Sequence, residues 1–392
     1  MRIVFICPVY RTGNSGVGDY TFRLARFCSK QGFECAILSF KEMGVVTQFA
    51  SPGSVVDEAN FNSNQRSALD FVRRFNPDWI SLQYVPYGYH PKGYCFHLGR
   101  FLKSISGNAR RHVFFHEVSV GLHQEESWKN RVHGFLQRMA LRRWLSVWPP
   151  DLLHTHAVPY QQWLEGMGVS VKHLPLYGNI PVGPTGPVHP EFDEWTKQRN
   201  QKGEKLLLAG YFGSLYPGAA QDGFLDRLRN LAQKTDQRII CFLVGQQSDS
   251  AKKRWQMLVE QSDQHLKAIF LGELSEEGVS SYLQQLDFGI AATPWALIEK
   301  SGSAAAMLDH GLPVLVPRND WTPRLKPQSS AVREMHHRLI PAWDDHFVNH
   351  TDWLQQKESP GESFPAIAEA FLKDLSALNS QSPLSLSVDK IK

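Results

Sequence analysis

The chain alternates short, strongly apolar runs with segments of helical period, and it completes this alternation twice. A strand buried on both faces reads as a continuous apolar run. The helix that carries the chain back beside it reads with a period near 3.6 residues. The first series of strands is "RIVFICPVY", "ECAILSF", "DWISLQYV", "HVFFHEV" and "DLLHTHA", with helical stretches such as Asp19 to Gln31 and Ser67 to Phe75 between them. The pattern restarts at "KLLLAGYFG" and continues through "RIICFLVG", "AIFLGEL", "DFGIAATP" and "LPVLVP". Its helices are expected at Gly223 to Lys234, Lys252 to Gln261, Glu276 to Gln285 and Ser303 to His310. Such alternation builds parallel sheets from β-α-β units, so the fold class is α/β with two doubly wound, Rossmann-like domains.

Between the two series lies "YGNIPVGPTGPVHPEFDEWTKQRNQKGE", dense in Pro and Gly, which reads as an interdomain linker. The expected boundaries are an N-terminal Rossmann-like domain over 1–178, a linker over 179–203 and a C-terminal Rossmann-like domain over 204–345. A helical segment over 346–378 could cross back to the first domain. The polar, Ser-rich tail 379–392 is expected to be disordered. Open parallel sheets bind ligands beyond the carboxyl ends of their strands. Two such domains are expected to face a central cleft.

Composition narrows the function. A length of 392 residues suits two domains, and a net charge of +4 gives no nucleic-acid footprint. No apolar stretch approaches the roughly 18 residues that span a bilayer. The opening "MRIVFICPVY" lacks the parts of a signal peptide. Five scattered cysteines without a CxxC fit reduced thiols. The expectation is a cytoplasmic protein.

Two glycine-bearing segments carry the chemistry. Gly13, Gly16 and Gly18 follow the first strand and precede a helix, where backbone N–H groups can bind an anion. Thr21 stands where a dinucleotide fingerprint needs its last glycine, and Glu42 is the candidate ribose-binding acid. A dinucleotide site, a sugar-phosphate site and a plain turn all remain open. In the second series, Gly213 and Ser214 end a strand. Farther on, Lys300 precedes Ser301-Gly302-Ser303 at a helix start, where N–H groups, the helix dipole and a full cation favour a diphosphate. Arg318 is a further cation for a nucleotide.

Other residues have both a functional and a plain structural reading. Asp19 is either a helix-favouring acid or a group that orients an acceptor hydroxyl. The aromatic loop "QYVPYGYHPKG" offers Tyr84, Tyr87, Tyr89 and His90 for stacking on sugar rings, or for packing. "SWKNRVHGFLQRMALRRWLSVW" combines Arg131, Arg138, Arg142 and Arg143 with Trp128, Trp144 and Trp148. Such a helix lies on an anionic membrane or packs on its own domain. Peripheral contact at the inner face of the membrane would suit a lipid-linked acceptor.

The order of these segments, from about residue 3 to about residue 318, resembles glycosyltransferase family 4 on the GT-B fold. The matching pieces are "GNSGVGDYT", "FFHEV", "LLHTHAVPYQQWLEGMGV", "LPLYGNIP", "LVGQQSD", "FLGELSEEGVSSYLQQLDFGIAATP" and "EKSGSAAAMLDHGLPVLVP". The resemblance implies transfer of a sugar from a nucleotide diphosphate sugar to a saccharide, lipid-linked or other hydroxyl acceptor, with retention of configuration. It implies that His116 contacts the transferred sugar or its phosphate, that Glu117 supports it, and that Glu299 holds sugar hydroxyls. No cofactor beyond the co-substrate and no metal are expected, since helix starts and cations can neutralise the leaving diphosphate. Three motif positions depart from the family. The second acid of its E-x7-E pair falls on Met307, or on Ala306 if anchored at Gly311, Ser214 replaces an Arg, and "LYPGAAQDG" offers no Lys. A binding or scaffold protein without turnover, and a nucleotide-dependent dehydrogenase or epimerase, are the alternatives.

Overall fold

The computed structural model describes residues 1–9, 16–41, 45–50, 54–60, 65–201, 205–215, 223–324 and 335–379. Gly13, Glu42 and nearly all of the 379–392 tail lie outside them. The chain divides into two compact units.

The first unit comprises Met1–Pro175, joined by Pro323 and Arg324 and by residues 365–379. Its strands are β1 (Arg2–Cys7), β2 (Glu34–Ser39), β3 (Val45–Ala50), β4 (Ser54–Asn60), β5 (Trp79–Tyr84), β6 (Arg110–Phe115), β7 (Leu152–Thr155) and β8 (Lys172–His173). They form one sheet in the order β4-β3-β2-β1-β5-β6-β7-β8. Pairing is parallel from β2 through β1 to β8. At the other edge β3 pairs antiparallel with both β2 and β4. This hairpin adds an antiparallel edge to the expected parallel sheet. An antiparallel turn needs no crossover helix, so β-α alternation carries no trace of it. The local signal was the Ser51-Pro52-Gly53 stretch between two β-rich runs.

Helices cover both faces of this sheet. The Trp128–Val147 helix buries Trp144 against Tyr84 and Phe115. The Gly16–Lys30 helix buries Tyr20, Leu24 and Cys28 on the opposite face. That face is completed by the last helix, Phe364–Asn379, whose Ala368, Phe371, Leu372 and Leu375 recur at helical spacing and are buried. The Phe371 ring lies 6.1 Å from Phe5 and 5.2 Å from His112. Burial of each large apolar side chain stabilises the docked helix by roughly 1.5–3 kcal/mol.

The second unit comprises residues 176–322 and, among those described, 335–364. Its strands are β9 (Leu206–Phe212), β10 (Arg238–Val244), β11 (Leu266–Gly272), β12 (Phe288–Ile290), β13 (Val314–Val316) and β14 (Leu339–Pro341). All pairings are parallel, in the order β11-β10-β9-β12-β13-β14. Counted within the unit this is the 3-2-1-4-5-6 order of a dinucleotide-type sheet, which reverses direction between β9 and β12.

The stretch 179–203 is not a free linker. It runs over the Glu276–Gln285 helix, where Gly183 N and Gly186 N donate to the hydroxyls of Ser280 and Ser281. It then forms a helix, Pro190–Arg199, whose N-cap His189 and first-position Pro190 start it. Phe192 of that helix is fully buried, 4.8 Å from the Phe242 ring and 5.3 Å from Tyr282. In the stretch read as an interdomain linker, the N–H groups of Gly183 and Gly186 have fixed acceptors, and one phenylalanine anchors the helix that follows.

Candidate functional site

In the second unit, β9, β10 and β11 each end on a glycine in the left-handed region: Gly213 (φ 93°), Gly245 (φ 121°) and Gly272 (φ 79°). Gly213 N donates to Val244 O at 2.9 Å, and Gly245 N donates to Gly272 O at 2.8 Å. A Cβ on Gly245 would stand 3.1 Å from Gly213 Cα, so glycine is required by both conformation and space. Gln247 pins the loop from beneath. Its Nε2 donates to Gly213 O at 2.7 Å and its Oε1 accepts from Leu215 N at 2.9 Å. Ser214 Oγ donates to Gln246 O at 3.1 Å. Sequence reasoning found Gly213 and Ser214 but missed Gln247, which is buried.

Beside β9 lies β12. After it a 3-10 turn, Trp295–Lys300, leads into the Gly302–Asp309 helix. Ser301 caps that helix by accepting from Ala304 N at 3.2 Å. Gly302 and Ser303 occupy the first two helical positions, whose N–H groups have no acceptor within the helix. Ser303 reaches the strand-end glycines: a Cβ on Gly213 would lie 3.7 Å from Ser303 Cβ. The glycine loop and the helix start therefore meet where strand order reverses, the place at which open α/β sheets take ligands. Lys300 and Glu299, both half-buried, flank the helix start.

Arg318 has a different place. Its guanidinium pairs with both oxygens of Asp320, at 3.0 and 2.7 Å, and donates to Ala292 O at 3.2 Å. Its charge is matched there, and it braces the loop after β12. The positions that could have carried a second acid, Ala306 and Met307, are fully buried in the core. A carboxylate at either position would be costly to desolvate.

In the first unit, β6 runs directly into His116. The ring is 7% exposed, stacks on Phe114 at 4.6 Å, and meets Tyr20 edge-on at 4.8 Å. Tyr20 belongs to the first turns of the Gly16–Lys30 helix, so the first glycine segment and His116 are neighbours. His116 Nε2 lies 3.0 Å from Gln83 Oε1. Burial pushes the imidazole down to about 3, which keeps it neutral near pH 7. Gly16 begins the helix with nothing within 4 Å of an added Cβ, and Gly18 is buried in its first turn. Asp19 is half-buried in the same turn, and Glu117, also half-buried, follows His116 with its N–H 3.4 Å from Tyr84 O.

Tyr84 corrects the aromatic-loop expectation. It is the last residue of β5, fully buried among Tyr89, Phe115 and Trp144, and has no face for a sugar. Tyr89 is buried as well, its hydroxyl within reach of Ile6 O and Gln83 O. Tyr87 is exposed, with its hydroxyl 3.1 Å from His133 Nε2. Nearby a cavity of about 260 Å³ is lined by Phe40, Tyr89, His90, Tyr94, His97 and Phe101, among others.

The Trp128–Val147 helix divides by face. Trp144 and Trp148 are buried, whereas Trp128 (70% exposed), Val132, Phe135 and Met139 form an exposed apolar stripe at helical spacing. Lys129, Arg131 and Arg143 are exposed on the same helix. Among the described residues no helix is long and apolar enough to cross a membrane. Among them, too, no three His, Cys, Asp or Glu side chains converge to hold a metal ion.

No protein-family model matches the chain, and no curated protein matches its sequence. Solved structures do. HepE from Anabaena, in complex with UDP and glucose, aligns with 96% of this chain and 100% of its own, at TM-score 0.54 and 15% identity. The catalytic domain of starch synthase IV from Arabidopsis thaliana, bound to ADP and acarbose, aligns with 97% and 99%, at TM-score 0.54 and 10% identity. A putative UDP-N-acetylglucosamine 2-epimerase from Listeria monocytogenes aligns with 97% of each chain, at TM-score 0.50 and 11% identity. The likeness establishes the fold: two Rossmann-like units of GT-B type.

Proposed function

We propose that this GT-B-fold chain is a glycosyltransferase that moves a sugar from a nucleotide diphosphate sugar to an acceptor hydroxyl, in polysaccharide or glycoconjugate synthesis. The observation that carries the reading is the meeting of Gly213 with the helix start at Ser303. Solved GT-B structures with UDP or ADP bound support it.

The reaction is limited by charge. As the glycosidic bond to phosphate breaks, the sugar becomes oxocarbenium-like and the diphosphate gains negative charge. Oriented N–H donors that meet such charge are worth about 3–4 kcal/mol each. In this reading Gly302 N and Ser303 N supply them, with the helix dipole and Lys300 adding positive charge. Positive charge from these groups is enough for a departure that needs no divalent ion, and nothing beyond the nucleotide sugar acts as a cofactor. Glu299 accepts from sugar hydroxyls.

The first unit serves the sugar and its acceptor. Neutral His116 hydrogen-bonds the transferred sugar, and Gly16 and Gly18 leave room beside it. Asp19, Tyr87 and Glu117 are the acceptor-side groups. The family resemblance suggests retention of configuration. The exposed Trp128 stripe and its basic neighbours suit peripheral contact with the anionic inner face of the cytoplasmic membrane, where a lipid-linked acceptor would lie.

The test is a panel of sugar nucleotides, scored first for thermal stabilisation and then for products with and without acceptor sugars. Transfer, or slow hydrolysis abolished by Glu299→Ala, supports the reading. The epimerase likeness favours a second reading, recognised by a changed sugar configuration with no nucleotide released. Binding without any turnover identifies a scaffold protein.

A further inference from the structure

A line of buried polar side chains crosses the first sheet on the face covered by the last helix. Ser81 and Gln83 alternate on β5, and His112 lies opposite Ser81 on β6, so all three share that face. His154 of β7 stands opposite Phe114, next in the row. The contacts are continuous. His116 Nε2 is 3.0 Å from Gln83 Oε1, Gln83 Nε2 is 2.8 Å from Ser81 Oγ, and Ser81 Oγ is 2.8 Å from His112 Nδ1. His112 Nε2 is then 3.0 Å from His154 Nδ1, and His154 Nε2 is 3.0 Å from Asp374 Oδ2. Lys172 Nζ donates to the other oxygen of Asp374 at 2.6 Å. Ser81, Gln83, His112 and His154 are fully buried.

Each member of such a line can point either way, but the end fixes them all. The Asp374 carboxylate accepts and cannot donate. His154 must therefore carry its proton on Nε2, leaving Nδ1 to accept from His112 Nε2–H. His112 Nδ1 then accepts the Ser81 hydroxyl proton, and Ser81 Oγ accepts from the Gln83 amide. Gln83 is left with its oxygen toward His116, which must donate from Nε2. Reversing the whole line would set the His154 lone pair against a carboxylate oxygen at 3.0 Å. Reversing only part of it would set two lone pairs or two protons face to face inside the sheet, leaving buried groups unsatisfied at about 1–3 kcal/mol each.

We propose that Asp374, on the last helix, is a positioning residue for His116: through this line it holds the imidazole in the Nε2–H tautomer and leaves Nδ1 as the hydrogen-bond acceptor. The last helix thereby controls the state of a ring that its Asp374 reaches only through the line, and docking of that helix becomes a condition for a correctly set His116. The consequence for turnover rests on the glycosyltransferase reading; the tautomer does not.

The experiment is a long-range 1H–15N correlation spectrum of histidine-labelled protein, which separates the two tautomers by nitrogen shift. The full chain is compared with Asp374→Leu, Asp374→Asn and Ser81→Ala, each checked for native circular dichroism. Ser81→Ala cuts the line in the middle without touching the helix, so it stands in if Asp374→Leu does not fold. The wild type is expected to show a single Nε2–H form at His116. Asp374→Leu and Ser81→Ala are expected to lose it for a mixture, and Asp374→Asn, whose amide oxygen still accepts, to restore most of it. Turnover is expected to fall with the tautomer, by roughly tenfold in kcat at unchanged KM. A mixture at His116 with no glycosyl transfer in any sample upholds the positioning role and sinks only the functional reading. A single Nε2–H form persisting in folded Ser81→Ala or Asp374→Leu protein overturns the proposal.

Discussion

His154 Nε2 and Asp374 Oδ2 lie 3.0 Å apart, although 220 positions separate them in the chain. The contact ties the last helix to the interior of the first sheet: His154 Nε2–H donates to a carboxylate whose pKa His154 and Lys172 lower to about 2. It is also the place where stability and the candidate site share a residue.

His116→Ala is expected to lower turnover at least tenfold and to destabilise the first unit by about 2 kcal/mol, read from urea unfolding. The stability cost arises because removing the buried ring stacked on Phe114 leaves a cavity and strands the Gln83 oxygen. Full activity would remove His116 from the site.

Stability is expected to fall as the medium is acidified below about pH 6.5. Burial lowers the pKa of His112 and His154 and takes His116 down to about 3, whereas the unfolded chain binds these protons near 6.5. The unfolded state then holds more protons, so the unfolding free energy rises with pH across this window. For His116 the loss is about 1.4 kcal/mol per pH unit, and His116→Gln should remove it from the slope. Asp374 adds a second loss from about 3.8 down to about 2. Equal urea midpoints at about pH 7 and about pH 5 would contradict this.

Two glycines should part company on substitution. Gly245→Ala must adopt φ 121° against Gly213 Cα, at about 1–3 kcal/mol of strain. Gly16→Ala meets nothing within 4 Å and should leave stability unchanged within about 0.5 kcal/mol. A loss of activity in Gly16→Ala at unchanged melting temperature therefore reports a ligand and not the fold.

Trp128→Ser together with Phe135→Ser removes two exposed side chains and should leave melting unchanged. Cosedimentation with vesicles rich in anionic lipid is expected to drop several-fold. Equal binding by the wild type and the double variant would remove membrane contact from the account.

Much of the fold was legible because parallel strands write themselves as apolar runs and crossover helices as a period. All ten runs read as strands coincide with observed ones, from β1 to β13. The β3–β4 hairpin left no such mark, and the Pro- and Gly-rich stretch hid a helix anchored by Phe192. At the site, Gly213 and Ser303 stood out because strand-end glycines and helix caps are local chemistry. Tyr84 was misassigned because it still belongs to β5, and both faces of that strand are covered: Tyr84 packs on Trp144 while Gln83, on the other face, is buried as well. The Ser81-to-Asp374 line could not be read at all. Each member is an ordinary residue, and only tertiary packing brings them into register.

The most direct measurement is calorimetric titration of a panel of nucleoside diphosphates into the wild type and Ser303→Asp. An acid in the first turn favours the helix, so the variant should fold, while its charge occupies the place assigned to the diphosphate. The account predicts that at least one diphosphate binds the wild type and that Ser303→Asp weakens it by more than about tenfold, or about 1.4 kcal/mol. Undiminished binding by the folded variant, or a wild type that binds no member of the panel, would contradict it.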